Sequence, residues 1–181
     1  MLVQRLRRRC AAALMTAAAL SLVACGATQD VSASAPDMSV QGSELPASAV
    51  SFSGQTIDGG SFDSAKLAGE PAVLWFWAPW CTVCRAEAPD VARVADELAG
   101  EVRFVGIAGR GPVADMQTFV SDTGTDGFIH VADTDGSLWT QFGVLSQPSF
   151  VFVSADGSAE RVSGGLDADQ LRQSAESLIT N

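Results

Sequence analysis

Histidine and cysteine, the residues that most often build metal centres, are scarce in this 181-residue chain. Histidine occurs once, as His130, and cysteine four times, as Cys10, Cys25, Cys81 and Cys84. A structural zinc site takes four ligands, and Cys10 and Cys25 fall in an N-terminal segment that reads as an address. Cys81, Cys84 and His130 would need a carboxylate to complete the shell, so no metal is expected. Long apolar runs are missing too. The stretch from Ala11 to Ala24 is shorter than the ~20 residues that cross a bilayer. Positive charge is equally thin, with 11 basic against 21 acidic side chains and a net charge of −10. Four of the arginines, Arg5, Arg7, Arg8 and Arg9, precede the apolar stretch. Without them seven basic side chains face 21 acidic ones, a net charge of −14. Such a body repels nucleic acid and anionic lipid surfaces, which argues against a nucleic-acid partner. No internal repeat is visible.

The chain divides into three parts. Residues 1–24 read as a signal segment, basic and then briefly apolar. It ends in Leu22-Val23-Ala24-Cys25-Gly26, which resembles the lipobox of bacterial lipoproteins. The resemblance implies that Cys25 carries lipid, becomes the mature N-terminus and anchors the protein to the extracytoplasmic face of the cell membrane. An ordinary cleavable signal peptide with an incidental cysteine is the alternative, and Cys10 leaves with the segment either way. Residues 25–47 hold the lipidated end and a stretch rich in Ala, Ser, Gly, Asp and Pro without periodicity. That composition predicts a flexible tether with a span on the order of 25 Å. Residues 48–181 suit one compact domain.

Within that domain Val50 to Phe62, with the turn cluster Asp58-Gly59-Gly60, reads as an N-terminal hairpin. Asp63 to Leu67 reads as one helical turn. Buried strands are expected over Ala72 to Trp77, Val102 to Ala108, Phe128 to Val131 and Ser149 to Val153, with Glu160 to Val162 following the turn Asp156-Gly157. Helical patterns cover Val113 to Ser121, Asp135 to Phe142 with Asp135 as cap, and a C-terminal segment from Asp167 with Leu171, Ala175, Leu178 and Ile179 apolar. Strands alternating with helices, plus a terminal hairpin, predict an α/β three-layer sandwich with a mixed central sheet.

The centre of this pattern is Ala72 to Leu98. An apolar strand runs into Trp80-Cys81-Thr82-Val83-Cys84, and a helix follows. Its apolar face carries Ala88, Val91, Val94, Ala95 and Leu98, while Arg85, Glu87, Asp90, Arg93, Asp96 and Glu97 fall on the other faces. Cys81 therefore lies at the positive end of the helix dipole, which favours its thiolate, and Cys84 lies one turn on. The spacing allows a short-loop disulfide that opens and closes. A purely structural disulfide is the plainer reading, but so small a loop stabilises little.

FWAPWCTVC resembles the active-site signature of the thioredoxin superfamily, and Pro89 matches the proline that bends its active-site helix. VLWFWAPWC, the following R-A-E-A-P, A-D-T-D-G-S and F-G-V…Q-P resemble most closely the extracytoplasmic Dsb-type proteins of actinobacteria, the DsbE/DsbF group. The resemblance covers the chain from about Ser48 onward. It implies a thioredoxin fold, an α/β/α sandwich, and thiol–disulfide exchange without a cofactor. It also implies Cys81 as nucleophile, Cys84 as resolving cysteine, and Pro148 as a cis proline facing them. Gln147 would offer its backbone to an extended substrate, with Trp80 as one lip of the site and Trp75 and Trp77 in the core. The implied partners are reduced or misoxidised secreted proteins and a membrane redox partner of the VKOR or CcdA type.

Peroxidase chemistry is disfavoured, because Ala78 stands where peroxiredoxins place a threonine three residues before the nucleophile. Trp75 stands where cytosolic thioredoxins carry a buried aspartate. Thr82-Val83 matches neither reducing thioredoxins nor strongly oxidising Dsb enzymes, and Arg85 is the one nearby cation in the sequence. These points favour a moderately oxidising disulfide-forming enzyme. A reductase of the TlpA/ResA kind, serving cytochrome c maturation, and a redox-inert binding lipoprotein are the alternatives.

Overall fold

The computed structural model describes residues 42–180. Its centre is β4, Ala72–Trp77, in which all six side chains are buried. Side chains alternate across a strand, so a strand buried on both faces must be apolar throughout. Val73, Trp75 and Trp77 enter one core with Ala88, Val91, Phe119, Phe150 and Leu171. Leu74 and Phe76 enter a second with Phe52, Phe62, Trp139 and Phe142.

Around β4 the sheet has six strands. These are β1 (Ser43–Leu45), β4, β5 (Arg103–Gly109), β6 (Ile129–Asp133), β7 (Ser149–Val153) and β8 (Ala159–Ser163), in the order β1-β8-β7-β4-β5-β6. β4, β5 and β6 are parallel, while β7, β8 and β1 join antiparallel, so the sheet is mixed. α1 (Thr82–Glu97), α2 (Val113–Thr123) and α4 (Ala168–Thr180) supply the first core. The hairpin of β2 (Ser53–Gln55) and β3 (Ser61–Asp63), with α3 (Ser137–Gln141), covers the opposite face. This is the thioredoxin-type α/β/α arrangement with its N-terminal hairpin.

Four details depart from the sequence reading. Ser43–Leu45, inside the stretch read as tether, pairs with Ala159–Arg161 as an edge strand. Three residues carry no period of their own, and their order comes from the β8 edge they complete and from Leu45, packed on the second core. The N-terminus of α3 is capped by two carboxylates rather than one: Asp135 Oδ1 accepts the Ser137 N–H at 2.9 Å, and Asp133, at the end of β6, takes the next two N–H groups. Asp133 Oδ1 accepts from the Leu138 N–H at 3.1 Å and Oδ2 from the Trp139 N–H at 2.8 Å. Gly136, at φ +75°, turns the chain so that those N–H groups face back toward the strand. Ile179 is 40% exposed because the inward stripe of α4 is Leu171, Ala175 and Leu178. The fourth departure, Glu87, belongs to the site.

Candidate functional site

β4 ends at Trp77, and Ala78-Pro79-Trp80 carries the chain over its carboxyl end into α1. Cys81 is the N-cap of α1, with extended backbone at φ −76° and ψ 110°, and its Sγ accepts the Cys84 N–H at 3.0 Å. The cap position aims a free N–H of the first helical turn at the sulfur, which favours negative charge there. Cys81 and Cys84 are joined as a disulfide. Cys81, the expected nucleophile, keeps only 5% of its surface, and Cys84, the expected resolving cysteine, keeps none.

The peptide bond Gln147–Pro148 is cis and leads into β7. The Pro148 carbonyl accepts from the Gly164 N–H at 2.9 Å, whereas the Gln147 backbone hydrogen-bonds to no other described residue. Val83, between the two cysteines, and Pro148 converge on Gly165. A Cβ at Gly165 would lie 3.5 Å from Val83 Cγ1 and 3.6 Å from Pro148 Cγ. Trp80 is 58% exposed at the other lip, and its indole N–H donates to the Arg110 carbonyl at 2.7 Å. Trp75 and Trp77 are fully buried. Cys25 lies outside the described residues.

Glu87 overturns its assignment to an outer helix face. It is buried, and Oε1 accepts the Trp75 indole N–H at 2.8 Å. Oε2 has no hydrogen bond of good geometry, although the Leu166 backbone N–H lies close enough to favour the charged form slightly. Burial dominates and pushes the carboxyl up to about 7. The spacing contains the signal: Cys84, Glu87, Ala88 and Val91 follow the i, i+3, i+4, i+7 stripe that faces the sheet. Trp75, at the position where cytosolic thioredoxins carry an aspartate, thus hydrogen-bonds to a carboxylate from α1, one helical turn after Cys84.

The cations are arranged differently from their sequence order. Arg85, next to Cys84, pairs with Asp122 at 3.3 Å and covers the Phe119 ring. Arg110, far away in sequence, reaches the rim of the site instead. His130 is buried on the sheet. Its Nδ1 accepts from Trp77 Nε1 at 3.2 Å, so the other nitrogen, 2.8 Å from the Thr125 carbonyl, carries the proton. Burial pushes this imidazole down to about 4.

Comparison with known proteins agrees with this geometry. The model of the AhpC/TSA family matches residues 34–162. The soluble secreted antigen MPT53 of Mycobacterium tuberculosis is 48% identical over 108 residues, 60% of this chain and 61% of MPT53. The chain thus spans less than two thirds of that relative. MTB DsbF, solved in mixed oxidized and reduced forms, superposes with a TM-score of 0.71 at 46% identity, over 74% of this chain and 98% of that one. A secreted Mycobacterium tuberculosis disulfide oxidoreductase homologous to E. coli DsbE superposes with a TM-score of 0.68 at 41% identity, over 72% and 98% respectively.

Proposed function

We propose that this chain, which belongs to the AhpC/TSA family and is a Dsb-type protein of the thioredoxin superfamily, forms disulfides in proteins outside the cytoplasm. The carrying observation is the Cys81–Cys84 disulfide at the start of α1, with a backbone N–H donated to Cys81 Sγ. A substrate thiolate attacks Cys81 Sγ, the Cys81–Cys84 bond breaks, and Cys84 leaves as a thiolate. Glu87, one turn on and titrating near neutrality, is positioned to give Cys84 its proton. A second substrate thiol, after losing its proton, attacks the substrate sulfur of the mixed disulfide and releases Cys81 as thiolate. The substrate loses two electrons and the cysteine pair gains them. The exchange needs no cofactor, and a quinone-linked membrane partner of the VKOR type takes the two electrons and returns the pair to the disulfide; a CcdA-type partner would instead supply electrons in the reductase reading.

Trp80, Gln147 and Pro148 frame the substrate in this reading, with the Gln147 backbone free to pair with an extended chain. The secreted character of MPT53 and of the DsbE-like relative supports an extracytoplasmic location. Lipid on Cys25 would hold the domain at the membrane. Thiol titration should find two more reactive thiols after reduction, and Cys84→Ser should accumulate mixed disulfides through Cys81. A protein unchanged by reductant would return the chain to the redox-inert reading.

One observation favours the reverse reaction. Glu87 can also take the proton of Cys84, which would help that thiol resolve a mixed disulfide as a reductase of the TlpA/ResA kind must. The reduction potential decides between the two directions.

A further inference from the structure

The loop after β5 is Gly109-Arg110-Gly111, and its residues stand in an unexpected order. Arg110 has φ +56°, the left-handed region in which glycine is least strained. The two flanking residues are the glycines, and close packing accounts for both. A Cβ at Gly109 would lie 2.5 Å from Trp139 Nε1, and one at Gly111 would lie 2.6 Å from Pro79 Cγ. The middle position could hold glycine at lower conformational cost, yet it carries a long cation. What that side chain touches supplies the reason. The guanidinium lies 4.6 Å above the Trp139 ring and donates to the Leu145 carbonyl at 3.2 Å. The backbone carbonyl of the same residue accepts the Trp80 indole N–H.

Arg110 therefore ties two loops that meet only in space. One carries Trp80, next to Cys81, and the other carries Leu145, three residues before Pro148. The side chains of both tied residues face solvent, Trp80 at 58% and Leu145 at 86% exposure. A leucine so exposed contributes nothing to the core, and its backbone is nevertheless held in place. We propose that Arg110 is a positioning residue that sets Trp80 and Leu145 as one apolar lip of the substrate groove, and that this lip receives an apolar side chain beside the substrate cysteine. The inference rests on the thiol–disulfide exchange described above.

The test uses two dithiol peptides identical except for one residue beside the first cysteine, leucine or serine, with dithiothreitol as a probe too small to need a lip. Oxidised wild-type protein should react about tenfold faster with the leucine peptide, the scale expected for one well-placed apolar group. Arg110→Gly suits the left-handed backbone and should fold at least as well. It should bring the two peptides to similar rates through KM, leaving the dithiothreitol rate and the reduction potential unchanged. Arg110→Lys keeps the charge without the guanidinium fork and should behave like Arg110→Gly. Leu145→Ala should lose the same preference, and the double variant Arg110→Gly, Leu145→Ala should lose no more than the worse single one. A wild-type protein indifferent to the neighbouring residue, full preference in Arg110→Lys, or an equal loss on peptides and dithiothreitol would overturn the proposal. A wild-type protein inert toward all three thiols would overturn the exchange reading as well.

Discussion

Trp75 donates its indole N–H to Glu87 at 2.8 Å, so a β4 side chain and an α1 carboxylate meet beneath the cysteine helix. Glu87 titrates near 7 because it is buried with only one strong donor. A carboxyl poised there can give or take a proton at neutral pH, and positioned acid–base groups contribute about 10²–10⁴-fold. Glu87→Gln keeps the shape but cannot ionise. The rate of mixed-disulfide resolution in stopped flow should fall by at least about tenfold, and the inflection near pH 7 should vanish. An unchanged pH profile would remove Glu87 from the proton path.

The same group has a cost in stability, and His130 has the opposite one. Glu87 has a raised folded value, so it stabilises the fold at low pH and loses that contribution as pH rises from about 4.5 to 7. His130 has a depressed folded value, so stability is lost as pH falls from about 6.5 toward 4. Each effect is on the order of 3 kcal/mol over its window, and the windows overlap. Their sum should be nearly flat between pH 4.5 and 6.5. Denaturant midpoints should show Glu87→Gln losing stability toward acid more steeply than wild type, while His130→Gln loses it toward neutrality. Parallel curves for all three proteins would contradict both assignments.

How far the chain itself revealed this site depends on whether the signal was local. The strand Ala72–Trp77, the N-capping Cys81 and the helix after it are contiguous, and periodicity and dipole arguments place them directly. Glu87 was equally local, but a glutamate weighed by residue type alone reads as solvated, and only its place on the Cys84–Ala88–Val91 stripe says otherwise. Arg110 and Leu145 had no such signal. Arg110 links Trp80 to Leu145 because the carboxyl ends of β4 and β5 and the loop before β7 converge at one end of the sheet. β1 had none either, since its pairing information resides in β8. Asp133 became a cap through a glycine turn three residues later.

Gly165 tests the packing around the acid. A Cβ there would stand 2.8 Å from Glu87 Oε2, close enough that the carboxyl must move, and Trp75 holds the other oxygen. Gly165→Ala should cost about 1–3 kcal/mol, the usual range for overpacking. In a Glu87→Ala background the clash is gone, so the same substitution should cost markedly less in urea denaturation. An equal cost in both backgrounds would place the strain elsewhere in the loop.

The direction of catalysis is the remaining prediction, and the structure changes its basis. Trp75 no longer stands for a lost carboxylate, because it holds one, Glu87, one helical turn after Cys84. A carboxylate assists Cys84 in either direction, so it sets a rate and leaves the equilibrium to the thiolate of Cys81. That thiolate would gain the N-terminal end of α1 and the Cys84 N–H, which favour negative charge on the sulfur and so the reduced form. Against this, Arg85 is engaged by Asp122 and Arg110 by the Leu145 carbonyl, leaving neither cation free to add much at the sulfur. A moderately oxidising pair follows, above thioredoxin's value of about −270 mV and below DsbA's of about −120 mV. Equilibration with glutathione should give a potential inside that interval. The oxidised protein should reactivate reduced, unfolded ribonuclease, and the reduced form should act slowly on insulin. A potential at or below thioredoxin's, with fast insulin reduction, would assign the site to reduction, with Glu87 as the base that readies Cys84.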